Sequence, residues 1–536
     1  MRKRNDYSLM AVAAAFIAAG LAGCTMIPFY HQPQAPVSST FPQGGVYATQ
    51  PGTDGRALNG RSADGVVAAD IGWRNFFIDP RLQQLVEIAL KNNRDLRVAV
   101  LNIEASRAQY QITRANLLPS VGAVGTGTIE RYPMLTDNGN PAAVVGRVYN
   151  VGLSASWELD FFGRLRSLKE QALSQYLATA EARKAEEILL VSQVADQYLT
   201  MLADDDLLKV TAETLKTAQA SYNLTKLQFE NGTSSELDLR QAQTVVETAQ
   251  ANMQAQLRAR AQAENALVLL IGEPLPADLA PGLPLDSQNL LADVPAGLPS
   301  DLLIRRPDIM EAEQQLLAAN ANIGAARAAF FPRVMLTGAF GTASITLGDL
   351  FKPGMAAWTF MPQITLPIFS GGANLANLNL ANIEKKVQIA QYEKAIQSAF
   401  REVADGLAAR GTYDQQVAAQ QRDVEANQRR FDLSDLRYRN GVDSYLSVLT
   451  AQTDLYAAQQ ALIAARLARL TNLVDLYRAL GGGWIEHNGD APRSPDAPDY
   501  ASAASAASEA TVASAASAAS ASAASAAQGL VPDAAH

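Results

Sequence analysis

Two stretches, "KLQFENGTSSELDLRQAQT" at Lys226–Thr244 and "DLRYRNGVDSYLSVLTAQT" at Asp435–Thr453, say nearly the same thing. With Asn231 set over Asn440, the residues Leu, Asn, Gly, Ser, Leu, Ala, Gln and Thr coincide, and Phe229 meets Tyr438. Each stretch reads as the tip of a helical hairpin, at 231–235 and 440–444. Gly232 and Gly441 supply the left-handed residue that ends the incoming helix. Ser235 and Ser444 stand where a hydroxyl caps the returning one.

Outward from the tips the likeness continues. "DLRVAVLNIEASRAQYQITRANLLPSVGAVG" (Asp95–Gly125) lies over "DIMEAEQQLLAANANIGAARAAFFPRVMLTG" (Asp308–Gly338). The chain therefore uses one supersecondary unit twice. The first copy is placed at 71–271 and the second at 305–485, joined by a Pro/Gly-rich connector at 272–304. Before the first tip, Arg164 to about Glu230 contains neither Pro nor Gly, and before the second only Gly406 and Gly411 interrupt Ala373–Asn440. At 1.5 Å per residue such helices reach about 100 Å. Charges at Lys184, Glu186, Glu187, Asp204 and Asp205 exclude a membrane span, so the helices need helical neighbours. Glu236–Ile271, Ser444–Leu480, and helices at about Pro80–Leu118 and Arg306–Phe331 are read as supplying them.

Between the helices the period changes. "RVYNVGLSASWELD" (Arg147–Asp160) alternates, with Tyr149, Val151, Leu153, Ala155, Trp157 and Leu159 on one face and Asn150, Gly152, Ser154, Ser156 and Glu158 on the other. "AAWTFMPQITLP" (Ala356–Pro367) groups Trp358, Phe360, Ile364 and Leu366. Period two with a polar opposite face is the pattern of a transmembrane barrel strand, and Tyr149, Trp157 and Trp358 are read as girdle aromatics. Partner strands are expected at about 119–130 and 332–346, starting at Pro119 and Pro332, beside strands at 147–160 and 356–367. The loops between them, at about 131–146 and 347–355, are read as facing outside, and Pro362 is expected at a bulge. Four strands cannot close a barrel, and lipid tolerates no open edge. The fold class is thus an α+β membrane protein that must assemble with copies of itself.

The 536 residues, 48% hydrophobic with net charge −9, are ample for a large core and speak against a nucleic-acid partner. The single cysteine precludes internal disulfides, and with His31, His487 and His536 all near the ends no metal site is expected. That cysteine follows a basic n-region (Arg2, Lys3, Arg4) and an apolar run at Leu9–Gly23, which reads as an export signal at 1–23. Leu21-Ala22-Gly23-Cys24 resembles the bacterial lipobox, so a covalent lipid on Cys24 is expected and no other cofactor. Thr25 in place of Asp resembles lipoproteins sorted to the outer membrane. Residues 24–70 are assigned to an N-terminal segment, and 486–536, with the low-complexity stretch Ala501–Ala527, to a disordered Ala/Ser-rich tail. "ADDDLL" (Ala203–Leu208) is read as a solvated helix face. There is no Walker lysine motif, nucleophile elbow or zinc-protease helix, and no enzyme is expected.

"IGWRNFFIDPRLQQLVEIALKNNRDLRVA", "WELDFFGRLR", "RRPDI" and "YRNGVDSYLSVLTAQTDLYAAQQAL" resemble the TolC-like outer membrane factors, in particular the lipidated branch serving multidrug efflux. The resemblance covers about residues 70–485. It implies a homotrimer with a 12-strand β-barrel in outer-membrane lipid and a 12-helix α-barrel tunnel in the periplasm. It also implies docking at the hairpin tips (Asn231, Gly232, Ser235, Asn440, Gly441, Ser444) to a periplasmic membrane-fusion adaptor and an inner-membrane RND transporter. The implied function is a passive exit duct for drugs. Type I protein secretion and metal-ion efflux are alternative cargoes, and a lipid-anchored coiled-coil scaffold without a pore is a third reading. By position, Asp443 and Asp238 would line the periplasmic gate, with Tyr438, Arg437 and Arg439 making closing contacts. The chain departs from the prototype channel, which has acids where Ser447 and Thr450 stand and a basic residue at 443.

Overall fold

A computed structural model describes residues 25–42, 44–47, 68–135, 141–288, 290 and 299–489. Cys24, the leader at 1–23 and the stretch 501–527 lie outside them. After a short helix α1 (Trp73–Phe76), the order helix, strand, strand, long helix, shorter helix occurs twice. Helices α2 (Pro80–Asn92) and α3 (Arg94–Ala115) lead into β1 (Ser120–Leu135), β2 (Pro141–Leu159), α4 (Arg164–Glu230) and α5 (Glu236–Ile271). Helices α6 (Pro299–Arg305) and α7 (Pro307–Ala328) lead into β3 (Arg333–Ser344), β4 (Ala356–Thr365), α8 (Ala373–Arg439) and α9 (Tyr445–Ala479). Both long helices, α4 and α8, have 67 residues.

The described residues fall into two compact units. The first, within 1–36, 102–181 and 308–396, holds one antiparallel sheet in the order β1-β2-β3-β4. Register carries the alternation across all four strands. Ala123, Leu153, Phe340 and Trp358 lie opposite one another in one row, and Val121, Ala155, Gly338 and Phe360 in the next of that face. Trp358 is 75% exposed and Phe340 67%. Strands β1 and β2 pair without interruption from Ser120↔Ser156 to Leu135↔Pro141, further than alternation indicates. Pro133 and Pro141 hide this extension from a period-two reading. Pro362 is not at a bulge, because the β3–β4 register is unbroken from Arg333↔Thr365 to Thr342↔Ala356. It stands on β4, the last strand of the sheet within one chain, and the β3–β4 ladder runs through it.

Gly152 and Gly341 face each other across β2 and β3. A Cβ on Gly152 would lie 2.5 Å from the Phe340 carbonyl oxygen, and one on Gly341 would meet the Val151 carbonyl and lie 2.5 Å from the Gly152 Cα. The neighbours are backbone and cannot turn aside. Gly341→Val is therefore expected to break the β2–β3 pairing, and the variant should lose most of its heat-modifiable band on gels of membrane fractions. Gly338→Ala is the control, since its nearest contact would be an ordinary 3.7 Å.

An N-terminal strap also belongs to this unit. Asn320 Nδ2 on α7 donates to the Pro28 carbonyl at 2.9 Å, Arg327 Nη1 to the Met26 carbonyl at 3.4 Å, and Tyr30 Oη to Glu313 at 3.0 Å. Gln32 Nε2 reaches the Tyr392 hydroxyl on α8 at 3.0 Å. Gly324 leaves the space in which Ile27 sits, since a Cβ there would come 2.7 Å from Ile27 Cγ1.

The second unit, within 37–101, 182–307 and 397–536, is helical. On α4, Val191, Val194, Ala195, Tyr198 and Leu199 are buried at helical spacing, and Tyr445, Val448, Gln452, Leu455 and Leu462 form a comparable stripe on α9. Asp79, 1% exposed, caps α2 by accepting from the Arg81 N–H at 2.8 Å. Its other oxygen accepts from the Tyr198 hydroxyl, the Gln288 amide and the Leu283 N–H. In "ADDDLL", Asp205 pairs with Arg260 at 2.6 Å and Asp206 with Lys209 at 2.9 Å.

Asp196 on α4 differs from these acids, because its Oδ1 is buried without a hydrogen-bond partner. Burial, reinforced by Asp475 and opposed by Arg478, pushes its carboxyl up to about 7. A carboxyl that holds its proton more tightly folded than unfolded favours the fold below about pH 4 and loses that advantage as pH rises to about 7. Asp196→Asn is expected to raise the thermal midpoint by several degrees at pH 8 and to leave it nearly unchanged at pH 4. Thermal unfolding of the purified protein in detergent at the two pH values checks it.

Candidate functional site at the hairpin ends

The helices end as turn chemistry demands. Gly232 has φ 75° and Gly441 φ 72°, the left-handed region where a side chain is strained. Asn231 Nδ2 and Asn440 Nδ2 each donate back to the carbonyl four residues earlier, Leu227 at 2.7 Å and Leu436 at 2.6 Å. Ser235 caps α5 in a complete capping box with Asp238. Ser444 occupies the matching N-cap position of α9, but its side chain makes no cap bond. The third helical residue there is Ser447, not an acid, and its N–H bonds the Ser444 carbonyl at 3.1 Å.

Of the five residues read as a gate, the structure joins two and separates three. Arg437 holds Asp443 by two bonds, Nε to Oδ2 at 2.6 Å and Nη2 to Oδ1 at 3.1 Å, and this pairing lowers the Asp443 carboxyl below its ordinary range. Arg439 pairs instead with Asp435 on its own helix at 2.8 Å. Asp238 is occupied by the cap, accepting from the Ser235 N–H at 3.3 Å and its hydroxyl at 2.7 Å. Tyr438 reaches the other hairpin, donating to Gln228 Oε1 at 2.7 Å with the Thr225 hydroxyl at 3.3 Å.

Beneath these polar contacts is a small core that sequence reading missed. Ala242, Tyr445 and Val448 are buried, with Tyr222, Phe431, Tyr438 and Leu449 packed against them. The Tyr438 and Tyr445 ring centroids are 5.4 Å apart. Tyr445 and Val448 are spaced as a helix seam, a visible signal, whereas nothing local marks Gln228 or Thr225. The girdle aromatics are all on the sheet. Trp358 is exposed, Trp157 is partly exposed with its Nε1 donating to the Leu117 carbonyl at 3.0 Å, and the Tyr149 ring lies over Gly127.

An antiparallel sheet with an exposed apolar face and two paired long-helix hairpins is the fold shared with solved outer-membrane channels, and that is the class of protein to which the comparisons lead. Among the described residues no helix is long and apolar enough to cross a membrane. The chain belongs to the outer membrane efflux protein family, whose model matches residues 85–273 and 298–482. It is 51% identical over 486 residues to the toluene efflux pump outer membrane protein TtgC of Pseudomonas putida, covering 90% of this chain and 97% of that one. The same figures hold for the antibiotic efflux pump outer membrane protein ArpC of Pseudomonas putida. Among solved structures, the open state of the Neisseria gonorrhoeae MtrE outer membrane channel is 42% identical with a TM-score of 0.75, covering 87% of this chain and 100% of that one.

Proposed function

We propose that the chain is the passive exit duct of a tripartite efflux pump, carrying drugs, solvents and other small molecules across the outer membrane. The observation that supports this most is the sheet. Among the described residues β1 and β4 have no partner on their outer edges, and large apolar side chains stand exposed on a polar-backed face. Unpaired edges are untenable in lipid. Three copies would close a 12-strand barrel, with Tyr149, Trp157 and Trp358 at the interfaces, and the helices would form the 12-helix tunnel below it. Lipid on Cys24 would anchor a strap already bound along α7. The tips would meet a periplasmic membrane-fusion adaptor, and an inner-membrane RND transporter would supply the energy. Relatives that serve toluene and antibiotic pumps point to apolar and amphipathic cargo.

The test is a deletion strain exposed to chemically unlike antibiotics, dyes and toluene, complemented with wild-type and Cys24→Ala copies. Broad sensitisation rescued by the wild-type gene is the expected result. Full resistance to all compounds in the deletion, with no second duct present, would overturn the proposed cargo.

A further inference from the structure

A groove of about 350 Å³ lies between α9 and the α4–α5 hairpin, sharing Leu449 with the edge of the tip core. Its wall carries five threonines, Thr211, Thr214, Thr244, Thr248 and Thr453, with Val245 and Leu449 giving it an apolar side. Four of those hydroxyl protons are already committed to carbonyls one turn back. Thr211 donates to Leu207 at 2.7 Å, Thr244 to Arg240 at 2.9 Å, Thr248 to Thr244 at 2.8 Å and Thr453 to Leu449 at 2.9 Å. Thr211 Oγ1 already lies 3.0 Å from the Tyr456 hydroxyl, so the oxygen lone pairs left to the groove as acceptors are those of Thr244, Thr248 and Thr453.

A second observation has the same sign. Gln452 sits in the buried stripe of α9, only 5% exposed, and lines this groove. Its Nε2 makes a long bond to the Thr214 carbonyl at 3.4 Å, while its Oε1 is buried with no hydrogen-bond partner. Turning the amide over would set oxygen against the Thr214 carbonyl, so the orphaned acceptor is not repaired by a flip. Gln452 and Tyr456 also line a neighbouring cavity of about 460 Å³, so the side chain has room to adjust.

We infer that this groove is a binding site for a small uncharged amphipathic molecule that donates a hydrogen bond, an alcohol or a primary amide with an apolar body. The donor meets the threonine oxygens and the body covers Val245 and Leu449, while Gln452 Oε1, sealed in this conformation, joins them once its side chain turns into the groove. No charged side chain is among the lining residues, so a cationic donor would be buried without a counter-charge and is disfavoured. Such a ligand touches three helices at once and ties α9 to the α4–α5 hairpin. The inference stands apart from the efflux reading, since it concerns occupancy of a groove between three helices of one chain and is read without transport.

The test uses the purified full chain in detergent and a photoreactive diazirine derivative of benzyl alcohol, with adducts mapped by peptide mass spectrometry. Expected is saturable labelling of peptides covering 241–252 and 449–456, displaced by excess benzyl alcohol. Labelling there should fall at least fivefold in Gln452→Leu and about twofold in Thr248→Val. Adducts on β1–β4, which report partition into detergent-facing surface, should be unchanged and show that the variants are folded. The methyl analogue of the probe, lacking the hydroxyl, should label the groove several-fold less. Equal groove labelling by the methyl analogue, or labelling indifferent to both substitutions, overturns the inference. Adducts confined to the strands would do so as well. Because the readout is labelling, its failure leaves the susceptibility test of the exit duct untouched.

Discussion

Tyr445→Ala is expected to free the two hairpin ends from each other, at a cost of about 3–5 kcal/mol, the range for removing a buried aromatic side chain. Tyr445 is 1% exposed and sits at the centre of the tip core, against Tyr438, whose hydroxyl bridges to Gln228. With the ring gone, the cluster against which Tyr222, Phe431 and Leu449 pack loses its largest member and Tyr438 loses its ring contact. In planar bilayers the variant should conduct in a persistently larger state than wild type, and cells carrying it should become sensitive to large antibiotics excluded by a closed duct. Tyr445→Phe separates packing from hydrogen bonding. The Tyr445 hydroxyl is buried without a partner, and burial pushes its pKa up to about 12. Deleting it should be neutral or stabilising by about 1–2 kcal/mol, because an unsatisfied buried group is removed. Tyr438→Phe should fall between, losing contacts worth about 0.5–1.5 kcal/mol each. If Tyr445→Phe opens the duct as fully as Tyr445→Ala, packing is not what holds the tip.

The tips also show what a sequence can and cannot say. Their turns were legible because left-handed backbone needs Gly232 and Gly441, and because an acid three residues after Ser235 completes a capping box. The cap expected at Ser444 is not made: Ser447 cannot return the bond that Asp238 gives at the other tip, and no local pattern marks that the Ser444 hydroxyl itself leaves the helix end uncapped. Contacts between hairpins were not, because the phase at which Tyr438 meets Gln228 depends on the packing of whole helices and not on any local pattern. Asp443 was read by position as a bare charge facing a bore. The αL turn at Gly441 folds it back onto Arg437, so its charge is matched within its own hairpin. Three such pairs brought together in an assembly would carry less net field than three bare carboxylates.

The strands were legible as pattern and less so in extent. Alternation grouped the faces that the register then aligned, yet it stopped at prolines that end strands only in a sheet's interior. Pro133 on β1 and Pro362 on β4 are both on the outermost strands of this four-stranded sheet. Both positions lie within continuous ladders of this chain, so neither proline ends its strand.

The motif "RRPDI" offers the sharpest contrast between neighbours in sequence. Arg305 pairs with Asp70 at 2.7 Å, with both side chains substantially exposed, so Arg305→Met is expected to cost no more than about 1 kcal/mol. The Arg306 side chain is 8% exposed, and its Nη1 donates both to Glu402 Oε2 at 2.9 Å and to the Ala479 carbonyl at 3.0 Å. Ala479 is the last residue of α9, where carbonyls lack helical partners, so the guanidinium closes a helix end while pairing with α8. Arg306→Met leaves that carbonyl and Glu402 without the cation. Breaking a buried pair costs about 3–5 kcal/mol, and since Glu402 keeps 28% exposure the expected loss is nearer about 2–3 kcal/mol. Adding Glu402→Leu to Arg306→Met should restore part of the loss, because the second change removes the stranded carboxylate and leaves only the carbonyl unsatisfied. Thermal unfolding of the two single variants and the double variant in detergent gives the coupling as a double-mutant cycle. Equal losses for Arg305→Met and Arg306→Met would mean that burial of the guanidinium is not what distinguishes them. A strictly additive cycle would mean that the Glu402 contact contributes nothing beyond the helix-end bond.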